Sequence, residues 1–150
     1  MAKSMNNPAK KKAWDAFSRM VRVRDAIATT GLPFVCVCIT CNNRRHLSYM
    51  DAGHLFAGSS NAKLFQEEIV NGQCRRCNQL LNGRHKKYRK IMEEKYSVEQ
   101  IEIWEAEGKK AIPNREMDFE GRQEQYVART NKMIKPFGYN SYKEMMAGRD

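Results

Sequence analysis

Cys38-Ile39-Thr40-Cys41, Asp51-Ala52-Gly53-His54 and Cys74-Arg75-Arg76-Cys77-Asn78 are the stretches that decide how this chain folds. A pair of thiolates at C-x-x-C spacing can hold two corners of one tetrahedral zinc ion, and a second pair closes the site. The interval between the brackets encloses an acid and a histidine, and the second bracket runs straight into an asparagine. The two brackets predict one structural zinc on Cys38, Cys41, Cys74 and Cys77 with no open position, an ion that organises a fold and does not itself catalyse. Cys36 is left over, either as a small buried apolar residue or as an alternative to Cys38.

A zinc reading requires a reducing compartment. The N-terminal stretch is polar and basic with no apolar segment of signal-peptide type, and no apolar run reaches membrane-spanning length. The expected location is the cytoplasm, where paired C-x-x-C units bind metal rather than form disulfides. At 150 residues and 41% hydrophobic content the apolar core is expected to be small, so a metal has structural work to do.

The net charge of +10 is unevenly placed. Residues 1–90 carry 17 Lys and Arg against 5 Asp and Glu, whereas residues 91–150 carry 10 against 12. The basic half is the half with the cysteine brackets, the footprint of a polyanion-binding face, with nucleic acid favoured over membrane. No stretch shows the aromatic and leucine face of a membrane-surface helix. Arg75, Arg76, Arg84, His85, Lys86, Lys87, Arg89 and Lys90 are the expected nucleic-acid contacts. His46 also sits among arginines and suits a phosphate better than catalysis.

Periodicity predicts a helix over residues 14–29, with Trp14, Phe17 and Val21 on its apolar side, and Gly31-Leu32-Pro33 ends it. Residues 34–38 are β-prone, and residues 47–50 and 53–56 are expected as arms of a tight hairpin. A short helix follows the second bracket, a basic helix spans residues 86–95, and Ser97-Val98-Glu99-Gln100 reads as a capping box. Asn114 is expected to cap a further helix and Ser141 a terminal one. Three regions are expected: a basic disordered tail over 1–12, a zinc-knuckle domain over 13–107, and a linker with a helical extension over 108–150.

Within the interval, His54 is the candidate general base, since an imidazole titrates near neutrality. In an extended strand residues 51 and 53 face one way and 52 and 54 the other. Gly53 offers no ligand atom, so Asp51 is the nearest carboxylate for a hard divalent ion, or else an Asx-type turn cap. Asn78, at the start of the helix after the knuckle, can complete that ion's site. Asn82 shares its face, as a support or as a helix cap.

Together these residues resemble the HNH, or His-Me finger, nucleases, and more specifically the NinG (Rap) recombination proteins of tailed phages. The resemblance runs over residues 14–107. It is carried by Val21-Arg22-Val23-Arg24-Asp25, Cys38-Ile39-Thr40-Cys41, Asp51-Ala52-Gly53-His54, Phe65-Gln66-Glu67, Gln73-Cys74-Arg75-Arg76-Cys77-Asn78, Leu81-Asn82-Gly83 and Tyr88-Arg89. That family has Asp or His at position 51, both metal ligands. More distantly the knuckle is similar to phage endonuclease VII. The resemblance implies an α+β fold, a treble-clef zinc scaffold carrying a ββα-metal site with surrounding helices. It also implies Mg²⁺ or Mn²⁺ as catalytic ion and branched or single-stranded DNA as substrate. Where the family has an asparagine five residues before the third cysteine, this chain has Ile69, with Asn71 two residues later.

The expected function is therefore metal-dependent endonucleolytic cleavage of DNA in phage recombination, with His54, Asp51 and Asn78 as the catalytic set. A zinc-containing DNA-binding accessory of weak catalytic power is the main alternative, and a zinc module that binds only proteins is a third. Monomer and homodimer both fit the sequence.

Overall fold

Asn7 opens the first helix, α1 (Pro8–Thr30). Its Oδ1 accepts from the N–H groups of Ala9 and Lys10 at 2.9 and 3.1 Å, and proline at the first helical position has no N–H to leave unpaired. Gly31, at φ +80°, closes the other end, its N–H on the Ile27 carbonyl. The computed structural model describes residues 6–148. The expected disordered tail is thus helical from Pro8 onward, and residues 1–5 fall outside the described residues. The charge run Lys10 to Lys12 hid an N-cap. Lys10 itself is buried, with Nζ donating to the Ser59 carbonyl at 3.1 Å.

After α1 come β1 (Val35–Val37) and β2 (Arg44–His46), antiparallel with Val35 opposite His46. The first C-x-x-C lies in the turn between them, where Asn42 takes φ +63°. The expected tight hairpin with arms at 47–50 and 53–56 does not form. Leu47–Tyr49 is a 3₁₀ turn and β3 (Met50–His54) is one continuous strand. Its partner is β4 (Val70–Cys74), in a register running from Met50 opposite Cys74 to His54 opposite Val70. The glycine serves close packing rather than a turn: a Cβ at position 53 would lie 2.1 Å from Gln73 Oε1. Between the strands lie α2 (Asn61–Leu64) and a 3₁₀ turn, Glu67–Ile69.

The second bracket leads into a π-type turn, Arg76–Leu80, then α3 (His85–Tyr96) and α4 (Val98–Gly108). Ser97 Oγ accepts from Gln100 N–H, as the capping pattern predicts. The segment after Gly108 is held against the loop between β3 and β4, with Asn61 Nδ2 donating to the Ile112 carbonyl at 2.7 Å. The helix expected from Asn114 begins later, as α5 (Phe119–Ile134), because Asp118 rather than Asn114 caps it. The terminal helix, α6 (Tyr142–Ala147), starts at Ser141 as expected.

Three apolar clusters hold these elements. Phe17, Met20 and Val21 of α1 pack with Ala52, Val70, Leu64, Phe65, Phe119 and Tyr126. Around the cysteines, Val23, Ala26, Cys36, Leu47 and Met50 pack with Ile134 and Met145. Leu55, Ile69, Tyr88, Met92 and Ile101 form the third, under α3 and α4. Cys36 is thus a buried apolar residue, outside the four-cysteine cluster. Arg129 on α5 makes a two-pronged ion pair with Glu67 at 2.8 and 2.9 Å, and Phe17 meets Tyr126 edge-on.

The free edge of β4 is occupied by side chains of α1 and by the Ile39 backbone, whose N–H donates to the Gly72 carbonyl at 3.0 Å. Asp25 Oδ2 accepts the Gly72 N–H at 2.7 Å, and Arg24 donates to the carbonyls of Glu67 and Val70. The mixture of helices with two small antiparallel sheets makes the class α+β. No helix among the described residues is long and apolar enough to cross a membrane.

Candidate functional site

Cys38 and Cys41 leave the β1–β2 turn, and Cys74 and Cys77 straddle the exit from β4. The four Sγ atoms lie within 4.8 Å of one another. Cys41 and Cys74 sulfurs are 3.8 Å apart. Zinc–thiolate bonds of about 2.3 Å put tetrahedral corners roughly 3.8 Å apart, so the cluster fits zinc and the expected ligand set comes together.

Hydrogen bonds around the sulfurs favour the thiolate. The backbone N–H groups of Cys74 and Cys77 point at Cys38 Sγ and Cys74 Sγ, at 3.2 and 3.5 Å. Thr40 Oγ1 lies 3.4 Å from Cys38 Sγ and accepts from Gln73 Nε2 at 3.1 Å, so its own proton goes to the sulfur. Burial favours the neutral thiol of Cys38, but the Cys74 amide and the Thr40 hydroxyl outweigh it and draw its pKa down to about 6. Burial and the adjoining sulfurs push Cys74 up to about 12. Crowded thiolates repel one another, and a dication removes that repulsion. Bracket spacing gives no signal for these roles: Thr40 is an x position of the first bracket, and Gln73 stands just before the second.

Asp51 points to the knuckle side of β3. Its Oδ2 accepts from Asn78 Nδ2 at 3.0 Å and Gln79 Nε2 at 2.8 Å, and Arg75 Nε lies 3.8 Å from Oδ1. The two expected hard-metal ligands therefore meet, and Gln79 joins them unannounced. A carboxylate with amide oxygens one side-chain flip away is a donor set that suits Mg²⁺ or Mn²⁺. Asn82 is not part of this group. At φ +54° it is a turn residue beside Gly83 at +83° and Arg84 at +47°.

His54 leaves β3 on the opposite side, toward α1. It is 8% exposed, and its ring stacks on Trp14 with centroids 5.0 Å apart. Nε2 is 3.1 Å from the Leu64 carbonyl. That oxygen can only accept, so Nε2 carries the proton and Nδ1 keeps the lone pair. Burial pulls the imidazole pKa down to about 4, so it is neutral at neutral pH. The strand that carries it is braced beneath. Tyr88 Oη donates to the Gly53 carbonyl at 2.8 Å and accepts from Asn71 Nδ2 at 3.0 Å. Asn71, opposite Gly53 in the register, braces β3 through Tyr88, while Ile69 is core.

A groove of about 660 Å³ runs past the cysteine cluster, between the π-type turn and the start of α3. Arg45, Arg76, Arg84, Lys86 and Lys87 line it. Lys90 is exposed on α3, whereas Arg89 is committed to Glu93 and Glu105 at 3.0 and 3.2 Å. His85 Nδ1 is 2.8 Å from the Leu55 carbonyl, and His46 Nδ1 accepts from the Ser48 N–H. Arg75 donates to the Ser48 carbonyl.

The family model described as Bacteriophage Lambda NinG protein matches residues 2–135. The chain belongs to the NinG family. The match runs beyond residue 107, where the motif resemblance stopped, and takes in α5. A search of the curated proteins and one of the solved structures found no significant match. What is particular to this NinG chain is therefore read from its own geometry.

Proposed function

We propose that this NinG-family protein is a metal-dependent DNA endonuclease of the HNH kind that acts on branched or single-stranded DNA in phage recombination, on a treble-clef zinc scaffold. The observation that carries the reading is the meeting of Asp51 and Asn78 at the rim of the cysteine cluster, 3.0 Å apart across 27 positions of sequence. The order of a β3–β4 pair followed by a helix supports it, as does the locked tautomer of His54.

In this reading Lys and Arg side chains of the groove hold the phosphate backbone. His54 Nδ1 takes a proton from water, which attacks phosphorus as the P–O bond to the leaving oxygen breaks. A divalent ion held by Asp51 and Asn78 would supply Lewis-acid charge to that leaving oxygen. Trp14 and the Leu64 carbonyl fix the ring, and Tyr88 and Asn71 fix the strand that carries it.

A second reading, a DNA-binding accessory without strong cleavage, is favoured by one observation: His54 and Asp51 face opposite sides of β3 and His54 is covered by Trp14. The readings separate on purified protein incubated with duplex, single-stranded, flap and four-way DNA in Mg²⁺, Mn²⁺ or neither. The nuclease reading expects divalent-dependent cleavage that falls about 100-fold or more in His54→Ala, the scale of a lost general base. Asp51→Ala and Asn78→Ala should need more metal, with affinity for DNA little changed. A His54→Ala protein that cuts at the native rate overturns the assignment of the base. Salt-sensitive binding with no cleavage supports the accessory.

A further inference from the structure

The chain reverses between the π-type turn and α3, and two leucines stand at the reversal. Leu80 is 77% exposed and Leu81 40%, and neither belongs to any of the three apolar clusters. A single exposed leucine carries no information. These two are adjacent, and they line the same groove as Arg76, Arg84, Lys86 and Lys87, with no acidic residue among the described lining. They are also rigidly held. Leu81 N–H bonds the Arg76 carbonyl at 2.9 Å, and Arg84 N–H bonds the Leu81 carbonyl at 3.1 Å. The Gly83 carbonyl accepts from fully buried Gln73 at 2.9 Å, which ties the turn to the zinc-bearing sheet. Three successive residues, Asn82, Gly83 and Arg84, hold positive φ to make the reversal. Gly83 takes positive φ freely and Asn82 at little cost, but Arg84 at +47° is an uncommon occupant, so the reversal that presents the apolar tip is specifically held.

We infer that Leu80 and Leu81 form an apolar wedge that enters DNA where bases are unstacked, so that the groove selects branch points over continuous duplex. The inference rests on the DNA reading above and names its substrate feature. Surrounding cations match phosphates, but phosphates offer leucine nothing. Only base faces do, and in intact duplex these are already stacked on one another. At a fork or flap one face is free, and aliphatic side chains are a common means of occupying such a step.

The test compares binding of a Y-shaped fork and a duplex of equal length, without added divalent ion so that nothing is cut. A 2-aminopurine base beside the branch reports unstacking. Native protein should prefer the fork and raise the 2-aminopurine signal. Leu80→Ala/Leu81→Ala should lose about tenfold on the fork, the scale of one lost stacking contact. It should hold duplex affinity within twofold and lose the fluorescence rise. Leu80→Phe should keep both. Unchanged zinc content and melting in the variants confirm folding. Equal loss on both DNAs, or no loss, overturns the wedge while leaving DNA binding intact. A dimer of the native chain that the double alanine variant dissociates would instead assign the leucines to a second copy. Absence of any salt-sensitive DNA binding by the native protein would take down the DNA reading and the wedge together.

Discussion

Asp51 and His54 leave the same five-residue strand on opposite sides and meet opposite environments. On the knuckle side, Asp51 keeps company with an asparagine, a glutamine and an arginine. On the helix side, His54 is packed under Trp14 with its Nε2 spent on a backbone carbonyl. The first face surrounds a carboxylate with donors, and the second suppresses charge by exclusion of water. Strand alternation alone separates them. What the comparison teaches is that three residues of sequence separation tell nothing about shared chemistry until the backbone of the interval is known.

The largest effect expected is on what both faces stand upon. Cys38→Ser or Cys74→Ser removes a corner of the zinc site, and structural zinc contributes on the order of 10 kcal/mol to such modules. Metal analysis and thermal melting should show zinc lost and the fold lost with it. A variant that melts like the native protein would mean that the sheet holds itself without the ion.

Next in size is the helix-side face under acid. The pKa of His54 is lowered from 6.5 to about 4, so the folded state resists a proton that the unfolded chain accepts. Its contribution to stability is full above pH 6.5 and is lost as the pH falls toward 4, roughly 3 kcal/mol from the size of that shift. Denaturation midpoints across that window should fall more steeply for the native protein than for His54→Phe. Equal slopes would place the ring in water and erase the contrast between the faces.

A smaller effect probes the knuckle side. Gly53→Asp puts a Cβ 2.1 Å from Gln73 Oε1 and 2.8 Å from Gln73 Cβ. Overpacking of this kind costs about 1 to 3 kcal/mol, and chemical denaturation would register it. Moving the acid to position 53 in an Asp51→Ala background should therefore not restore a metal site. A stable, active Gly53→Asp protein would show that Gln73 yields and that the two faces are less fixed than described.

The smallest effect is the one furthest from β3. Lys86→Ala, Lys87→Ala and Lys90→Ala together should flatten the salt dependence of DNA binding by roughly two to three ion equivalents without changing the melting temperature. An unchanged slope would move the bound strand to another surface, such as the Arg44–Arg45 edge of β2.

Much of the site was legible in the sequence because short spacing fixes it. The C-x-x-C units brought the four sulfurs together, and the Cys77-Asn78 junction put the amide at the knuckle rim. The expected turn at residues 51–52 is absent because the strand partner of 50–54 lies about twenty residues on, at 70–74, and nothing local announces it. The Gln73–Thr40 contact beside the cysteine cluster, the brace from Asn71 through Tyr88 and the Trp14 lid over His54 all join residues 17 to 40 positions apart. Nothing local in a chain encodes such pairings. The helix start at Pro8 was legible, in Asn7-Pro8, and was outweighed by the lysines after it.

The contacts that Arg24 and Asp25 make with β4 have a consequence for how this protein behaves in a crowded cell. A two-stranded ribbon with an open edge is a template on which any extended peptide can grow. Here a helix lays a carboxylate on the Gly72 N–H and a guanidinium on the Val70 carbonyl, and the knuckle backbone at Ile39 takes the Gly72 carbonyl, so the edge is filled without a third strand. The ribbon is thereby terminated from within its own chain, and Asp25→Ala should show itself as aggregation on concentration before it shows as a lower melting point.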